Sequence, residues 1–217
     1  MIRIVIFDFD GTLGDTRANI LLTMRQTMEA MGLPVADEET IGATIGLPLE
    51  KGFEQLYPSM STQEIDACAA TYRDIFERNR SILIPSLFPG VRDTLERLVN
   101  EGFMLTVASS RLSTSLKGFL HDMEIDGFIS YVLGADNVTK AKPDPEPVLK
   151  TLRDMGQAAQ EALVVGDMPV DVLMGARGGA HTCAVSWGNA SREDLAASGA
   201  EFIIDSMEEL FGVLGRL

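Results

Sequence analysis

The chain has 217 residues, of which 46% are hydrophobic and 23% are charged, as in ordinary soluble proteins. That length allows one large domain, or one domain that carries a smaller insertion, and no apolar run approaches the roughly 20 residues needed to span a bilayer. The formal net charge of −14 disfavours partners such as nucleic acids and anionic membranes, because binding to them depends on Lys and Arg. We therefore expect neither kind of partner.

The cysteines and the start of the chain predict a cytoplasmic location. Cys68 and Cys183 are too few for a disulfide framework and lack metal-ligand spacing, so reduced and buried thiols are expected. The N-terminal apolar run is short and leads into acidic residues rather than into a small-residue cleavage site, so no signal peptide is predicted.

The first fifteen residues carry the strongest pattern in the chain. Residues 2–7 are apolar and mostly β-branched apart from Arg3, which predicts a buried parallel strand. Asp8 and Asp10 follow it; their side chains leave an extended chain on the same side, and Gly11 then allows the chain to turn away. In open α/β sheets ligands bind beyond the carboxyl ends of the strands, so the pattern predicts two carboxylates in one ligand site.

Residues 16–85 follow helical patterns. Apolar residues recur at about one helical turn over residues 20–31, 49–57 and 65–76, with Gly and Pro in the breaks between them. No strand is predicted between residues 17 and 84.

From residue 86 onward, predicted helices and strands alternate. The predicted strands lie at 103–108, 128–133, 162–165, 181–185 and 201–204. The predicted helices lie at 91–99, 112–121, 147–155, 170–176 and 207–214. Such alternation is typical of parallel βαβ units with right-handed crossovers. The predicted fold is a doubly wound, Rossmann-like parallel α/β sheet formed by residues 1–15 and 86–217, with an inserted α-helical domain at 16–85.

Polar residues follow three of the later strands, as a phosphate site would require. These residues are Ser109, Ser110, Arg111, Lys142, Asp167 and Asp171. Each has an ordinary explanation when taken alone: the serine could cap a helix, the lysine could be a surface charge, and the aspartates could favour a helix N-terminus. Together they predict one site, because the topology brings the strand ends to the same edge of the sheet.

The charge of such a site implies a metal ion. A phosphate dianion among Asp8, Asp167 and Asp171 would be repelled even with Lys142 charged and Asp10 protonated as a general acid. A divalent cation that bridges carboxylate and phosphate removes that repulsion. Because the ligands on offer are oxygens and no His or Cys cluster is present, Mg²⁺ is the predicted cofactor.

Four motifs in this chain resemble, in order and spacing, those of the haloacid dehalogenase-like hydrolase superfamily. They are Asp8-Phe9-Asp10-Gly11-Thr12-Leu13, Ser109, Lys142-Pro143-Asp144-Pro145, and Gly166-Asp167 with Asp171. The helical insertion directly after the first motif resembles the cap domain of the phosphoglycolate phosphatase and β-phosphoglucomutase branch. The resemblance covers nearly the whole chain.

The resemblance implies a role for each motif residue. Asp8 would attack phosphorus and form an aspartyl phosphate, and Asp10 would protonate the leaving alcohol and then remove a proton from the hydrolytic water. Ser109 and Lys142 would hold the phosphoryl oxygens. The metal ligands would be Asp8, the Asp10 main-chain carbonyl and Asp167, with Asp171 ligating directly or orienting a metal-bound water.

The expected substrate is a small phosphorylated metabolite, with phosphoglycolate-like esters favoured. Gly11, Thr12, Ser110 and Arg111 are predicted to contact it. Lys51 would meet an anionic leaving group, although the ordinary explanation of a lysine at this place is a solvated helix charge.

Several alternatives remain open from the sequence. Gly11-Thr12-Leu13 stands where β-phosphoglucomutases usually have Gly-Val-Ile, which favours a phosphatase over a mutase-like phosphotransferase. An inorganic pyrophosphatase is a further alternative. A non-catalytic binding module is the least favoured, because no catalytic position is missing. A monomer and a homodimer are both compatible with the sequence.

Overall fold

The computed structural model describes residues 1–79 and 85–217. In chain order its strands are β1 (Ile4–Phe7), β2 (Gly14–Asp15), β3 (Ser86–Leu87), β4 (Met104–Ala108), β5 (Tyr131–Leu133), β6 (Ala162–Gly166), β7 (His181–Val185) and β8 (Phe202–Ile204). Six of them form a parallel sheet in the order β5-β4-β1-β6-β7-β8. The chain adds strands first on one side of β1 and then on the other, so the point where the order reverses lies at β1, where open α/β sheets bind their ligands.

Helices follow most of the strands. They are α1 (Arg17–Ala30), α2 (Glu38–Gly42), α3 (Leu49–Leu56), α4 (Thr62–Asn79), α5 (Val91–Asn100), α6 (Ser113–Asp122), α7 (Glu146–Met155), α8 (Pro169–Arg177), α9 (Arg192–Ala197) and α10 (Leu210–Leu214). The predicted doubly wound α/β fold is confirmed.

The two faces of β1 belong to two different parts of the core. Val5 and Phe7 lie in the larger hydrophobic cluster, while Ile4 and Ile6 lie in a second cluster, and all four are fully buried. A strand with both faces covered reads as a continuous apolar run, which explains why residues 2–7 do not alternate. The tight packing fixes the end of β1, and therefore fixes the position of the acids that follow it.

The four helices α1 to α4, which we call the helical segment (residues 17–79), lie between β1 and the rest of the sheet in the chain. They share the larger core cluster, in which Phe76 of α4 packs edge-on against Phe119 of α6 with ring centroids 5.7 Å apart. The short strands β2 and β3 pair antiparallel where the chain leaves for the helical segment and where it returns. The division into two domains stays a prediction, and this pair lies at its proposed boundaries. Residues 80–84 of the predicted helical domain lie outside the described residues.

The predicted elements differ from the structure mainly at their ends. The strand expected at 128–133 begins only at Tyr131, because Asp126–Phe128 forms a 3₁₀ turn. The helix expected at 207–214 is a 3₁₀ turn, Met207–Glu209, followed by α10. Helices α2 and α9 and the pair β2–β3 are too short to leave an apolar period in the sequence.

Cys68 and Cys183 are both free and buried, as predicted. None of the helices described in the structure combines the length and the apolar character needed to cross a bilayer.

Candidate active site

Asp8 leaves the end of β1 directly into the site. Its backbone N–H donates to the carbonyl of Val165 at 2.8 Å, so the ladder with β6 continues one residue beyond the strand and holds Asp8 in place. In the same way the N–H of Ser109, just after β4, donates to the carbonyl of Leu133 at 3.0 Å. Both side chains are buried, and both line one cavity. The predicted nucleophile and the predicted phosphate-binding hydroxyl therefore meet at the same edge of the sheet.

Lys142 joins two of the acidic side chains. Its Nζ donates to Asp8 Oδ1 and to Asp171 Oδ1, each at 2.6 Å, and its side chain is 3% exposed. The other oxygen of Asp171 accepts from the backbone N–H of Met168 at 3.1 Å, within a capping box at the start of α8. The helix-cap explanation of Asp171 is thus correct for one oxygen, while the second oxygen belongs to the charged cluster.

Asp167 follows β6 and is completely buried. Its Oδ2 accepts from the backbone N–H and the side-chain Nδ2 of Asn189, at 2.7 and 2.9 Å. Its Oδ1 accepts from the Thr12 hydroxyl at 3.2 Å. Gly11 passes close beside it, with φ +85°, and a Cβ there would lie 2.2 Å from Asp167 Oδ2. Gly11 and Thr12, predicted to contact substrate, therefore also shape the site of this carboxylate.

The carboxylates of Asp8, Asp167 and Asp171 fit a divalent metal ion. One oxygen of each lies within 4.8 Å of the others, and all three residues are buried. Three buried carboxylates beside a single lysine are short of positive charge. Oxygen-only ligands of this kind suit Mg²⁺.

The pKa values of Asp8 and Asp167 are raised, in agreement with the shortage of positive charge in the cluster. Burial raises the pKa of Asp8 well above its usual range, and the charges of Asp171 and Asp167 add to the effect of burial, although Lys142 opposes it. Burial and the charge of Asp171 raise the pKa of Asp167 to about 7. Burial alone would lower the pKa of Lys142, but the two carboxylates that it contacts outweigh burial and raise it. Lys142 is therefore charged, and a further cation would stabilise the ionised carboxylates.

Asp10 does not join this cluster through its side chain. Both of its oxygens accept from Arg111 Nε, at 2.7 and 2.8 Å, and Oδ1 also accepts from Arg111 Nη2 at 2.6 Å. The Thr16 hydroxyl donates to Oδ1 at 2.5 Å. In this structure Asp10 forms an ion pair, whereas the sequence-based charge count assumed its protonated form.

Arg111 is enclosed by aromatic rings as well as by Asp10. Its guanidinium carbon lies 4.9 Å from the ring centroids of both Phe76 and Phe119, one in the helical segment and one in α6. The neighbouring Ser110 hydroxyl donates to the carbonyl of Gly46 at 2.8 Å, which also links the sheet side of the site to the helical segment. Arg111 and Ser110, predicted to contact substrate, are placed where the two parts of the chain meet.

A cavity of about 250 Å³ opens above Asp8, Asp10 and Ser109. Its other walls come mostly from the helical segment. Lys51 is not among the residues that line it: its ammonium group pairs with Glu54, its side chain is 64% exposed, and it borders a separate depression next to Lys142.

Sequence reasoning did not identify Asn189 or Thr16, which hold Asp167 and Asp10. Asn189 also accepts a hydrogen bond from Arg17 Nη1 at 3.0 Å. Trp187, two residues earlier, donates from its indole nitrogen to the carbonyl of Thr12 at 3.2 Å. The loop after β7 carries no charge pattern, but its position at a further strand end was the available signal.

Comparison with known proteins agrees with this geometry. The family model for haloacid dehalogenase-like hydrolases matches residues 5–185, which includes all four motifs. The chain belongs to the haloacid dehalogenase-like hydrolases. The resemblance stated from the motifs is confirmed.

Curated relatives of this hydrolase cover almost its whole length. The probable phosphatase IndB of Dickeya dadantii is 35% identical over 99% of this chain and 94% of its own length. Pyrophosphatase PpaX of Anoxybacillus flavithermus is 31% identical over 99% of this chain and 97% of its own. A phosphoglycolate phosphatase of Aquifex aeolicus is 30% identical over 86% and 85% of the two chains. These relatives and the family together identify the chain as a phosphatase enzyme.

The fold has close counterparts among solved structures. A protein from Clostridium acetobutylicum, described as a predicted phosphatase, superposes with a TM-score of 0.91 at 23% identity and covers 100% of both chains. At that identity the likeness concerns the fold alone.

Proposed function

We propose that this phosphatase hydrolyses a small phosphate monoester in a Mg²⁺-dependent reaction, through an aspartyl phosphate formed on Asp8. The observation that carries the proposal is that Asp8 belongs both to the acidic cluster and to the lining of the cavity. One of its oxygens belongs to the acidic cluster and binds Lys142, and the same residue lines the cavity. A nucleophile needs both properties, because it has to be kept ionised and has to reach the phosphorus atom.

Lys142 has two tasks in this proposal. Two of the three N–H donors on its ammonium group hold Asp8 and Asp171. The third has no acceptor among the described residues and would donate to a phosphoryl oxygen, and Ser109 offers a buried hydroxyl in the same cavity. Positive charge and fixed donors around the transferring group stabilise it without further rearrangement.

Asp8, Asp167 and the main-chain carbonyl of Asp10 would hold the Mg²⁺. When bound, the cation supplies the positive charge that lets carboxylates and a phosphate dianion lie side by side. Asp171 already receives donors on both oxygens, which favours an orienting role over direct ligation.

Asp10 is the proposed general acid and base. In the structure Asp10 only accepts hydrogen bonds from Arg111 and Thr16, so it would first take up a proton when substrate binds. It would give this proton to the oxygen of the leaving alcohol as the bond from phosphorus to that oxygen breaks. It would then take a proton from the water that attacks the aspartyl phosphate, which restores Asp8 and releases phosphate. Arg111 and Thr16 hold its carboxylate at the edge of the cavity as a hydrogen-bond acceptor, which supports the position of Asp10 and its action as the base in the second step.

The helical segment would act as a cap that closes over the leaving group. One relative is named a pyrophosphatase and another a phosphoglycolate phosphatase, so their names do not identify the leaving group of this enzyme. A mutase-like phosphotransferase remains an alternative, and formation of glucose 6-phosphate from β-glucose 1-phosphate would support it.

The test is hydrolysis of a panel of phosphate esters, with Mg²⁺ and with EDTA, by the wild-type enzyme and by Asp8→Asn. We expect metal-dependent turnover in the wild type and a loss on the order of 10⁴-fold or more in the variant, as for removal of other catalytic nucleophiles. Substantial hydrolysis by Asp8→Asn would refute the assignment of the nucleophile. Unchanged turnover in EDTA would refute the metal requirement.

A further inference from the structure

The cavity above Asp8 has predominantly apolar walls on the side where a leaving group would lie. The apolar side chains of the helical segment that line it include Ile20, Met24, Leu47, Leu49, Tyr72 and Phe76. The rings of Tyr72 and Phe76 stack with centroids 6.0 Å apart. Walls of this kind stabilise an apolar body by removing it from water.

The cations among the described residues of the lining already hold carboxylates. Arg111 is bound to Asp10, as described above. Arg73 Nη2 lies 2.5 Å from Glu50 Oε1. A second anionic group on a substrate would therefore find no unpaired cation among the lining residues that the structure describes.

Glu50 makes the pairing of Arg73 unfavourable to a second anionic group on the substrate. If Arg73 turned towards an incoming anion, the carboxylate of Glu50 would lose its partner. It would then share the cavity with the anion, and the two negative charges would repel each other. A site rejects a competing ligand when binding leaves a charge without a partner.

The Ser115 hydroxyl provides one polar feature in the same walls. Its Oγ is buried, it lines the cavity, and it has no hydrogen-bond partner among the described residues. A buried hydroxyl without a partner is costly, so a ligand that offers it a hydrogen bond is favoured.

We propose that the leaving group accepted by this cavity is an uncharged alcohol with a mainly apolar body, and that Glu50, by holding Arg73, excludes esters whose leaving group is anionic. Ser115 offers the alcohol one hydrogen bond. The inference rests on the proposed function, since it assigns the leaving group of that reaction. Phosphoglycolate and pyrophosphate are therefore poor substrates, contrary to the preference drawn from the motifs.

The first test compares kcat/KM of the wild-type enzyme, with Mg²⁺, for benzyl phosphate, cyclohexylmethyl phosphate, phosphoglycolate and pyrophosphate. The two neutral esters and phosphoglycolate all release an aliphatic alcohol, so their intrinsic chemical reactivity is comparable. We expect the neutral esters to be preferred by about tenfold or more. A higher kcat/KM for phosphoglycolate or pyrophosphate overturns the proposal.

The second test uses Glu50→Gln, with Glu54→Gln as its control. Both glutamates lie on α3 and both form an ion pair, but Glu54 does not line the cavity. Glu50→Gln should raise the ratio of phosphoglycolate to benzyl phosphate hydrolysis by about tenfold. Glu54→Gln should leave that ratio within about twofold, because neither Glu54 nor its partner Lys51 lines the cavity. Equal ratios in the two variants overturn the role of Glu50.

Calorimetry on Asp8→Asn, with Mg²⁺, separates this inference from the proposed function. We expect benzyl phosphate to bind more tightly than phosphoglycolate. If that order holds while the wild type hydrolyses none of the esters, the proposed hydrolysis is wrong, but the preference of the cavity for an uncharged apolar group stands. If phosphoglycolate binds equally well or better, the inference is wrong even where hydrolysis is observed.

Discussion

At the carboxyl end of the sheet, buried Lys142 joins Asp8 and Asp171 through hydrogen bonds of 2.6 Å, whereas the cavity beyond Asp8 is walled mainly by apolar side chains of the helical segment. The first region is built on strand ends that are fixed by packing on both faces of the sheet. The second is built from helices and from the loop around Gly46, which has φ +91° and is tied to the sheet side by the Ser110 hydrogen bond. Under the proposed function, the difference assigns the chemistry to the buried strand ends and the choice of substrate to the helices and loop that wall the cavity.

The largest effect is expected from Lys142→Met, which leaves Asp8 and Asp171 without their shared cation. Removing one partner of a buried ion pair costs about 3–5 kcal/mol, so the free energy of unfolding should fall by that amount in EDTA. Chemical denaturation measures it, and added Mg²⁺ should restore part of the loss because it replaces positive charge.

Lys140→Met is the matched control in the same loop. Its side chain is 71% exposed and its ammonium lies 3.9 Å from Asp144, so the variant should lose no more than about 1 kcal/mol. If both variants lost the same free energy of unfolding, the ion pairs of Lys142 in the buried cluster would contribute no more to stability than an exposed pair does.

Asn189→Ala tests the support of Asp167. Loss of a residue that orients a metal ligand typically lowers metal affinity about 10- to 100-fold. The measurement is the Mg²⁺ concentration dependence of the melting temperature, with Asn100→Ala at the exposed end of α5 as the control. An unchanged Mg²⁺ affinity in Asn189→Ala would remove Asp167 from the proposed ligands.

Arg111→Lys tests the contact between the two regions. Lysine keeps the charge but loses the planar fork that binds both oxygens of Asp10 and the stacking on Phe76 and Phe119. We expect kcat to fall roughly tenfold with a smaller change in KM, because the substitution disturbs the position of Asp10 and leaves the contacts of the substrate in place. Arg97→Lys, in which another arginine stacked on a ring (Phe211) is replaced, should leave kcat unchanged. A change confined to KM would return Arg111 to the substrate-binding role predicted from the sequence.

The smallest effect is expected from Ser110→Ala, which removes the hydrogen bond to the Gly46 carbonyl. One such bond contributes about 1 kcal/mol, so kcat/KM should fall about fivefold as the helical segment closes less often. Ser59→Ala, at an exposed serine of the same segment, is the control. A loss of more than about a hundredfold would mean that Ser110 acts on the reacting groups directly.

Sequence and structure agree best where a residue follows a buried strand. Asp8, Ser109 and Asp167 could be placed together because parallel strands end at one edge, and the apolar runs that precede them are long enough to be recognised. The partners of Arg111 and Asp10 could not be predicted, because a strand-end arginine serves a substrate or a neighbouring acid equally well. Asn189 was missed because a neutral amide in a glycine-containing loop has no distinctive pattern.

The helical segment shows the other limit. Its longer helices follow from the spacing of Met24, Met28, Phe53, Tyr72 and Phe76, which all belong to the core, yet Met24, Tyr72 and Phe76 also line the cavity. A hydrophobic period does not distinguish a residue that packs from one that also receives a ligand. Lys51 shows a second limit: it is close in sequence to residues that line the cavity, but its side chain faces solvent and pairs with Glu54.

The most direct test of the account is to trap the covalent intermediate during turnover. Enzyme mixed with Mg²⁺ and a hydrolysed ester is quenched in acid and treated with borohydride, which reduces an acyl phosphate to an alcohol, and the N-terminal peptide is analysed by mass spectrometry. The account predicts conversion of Asp8 to homoserine, with Asp10 unchanged, and only in the presence of both ester and Mg²⁺. Continued turnover without reduction at Asp8, or reduction at another carboxylate, would contradict it.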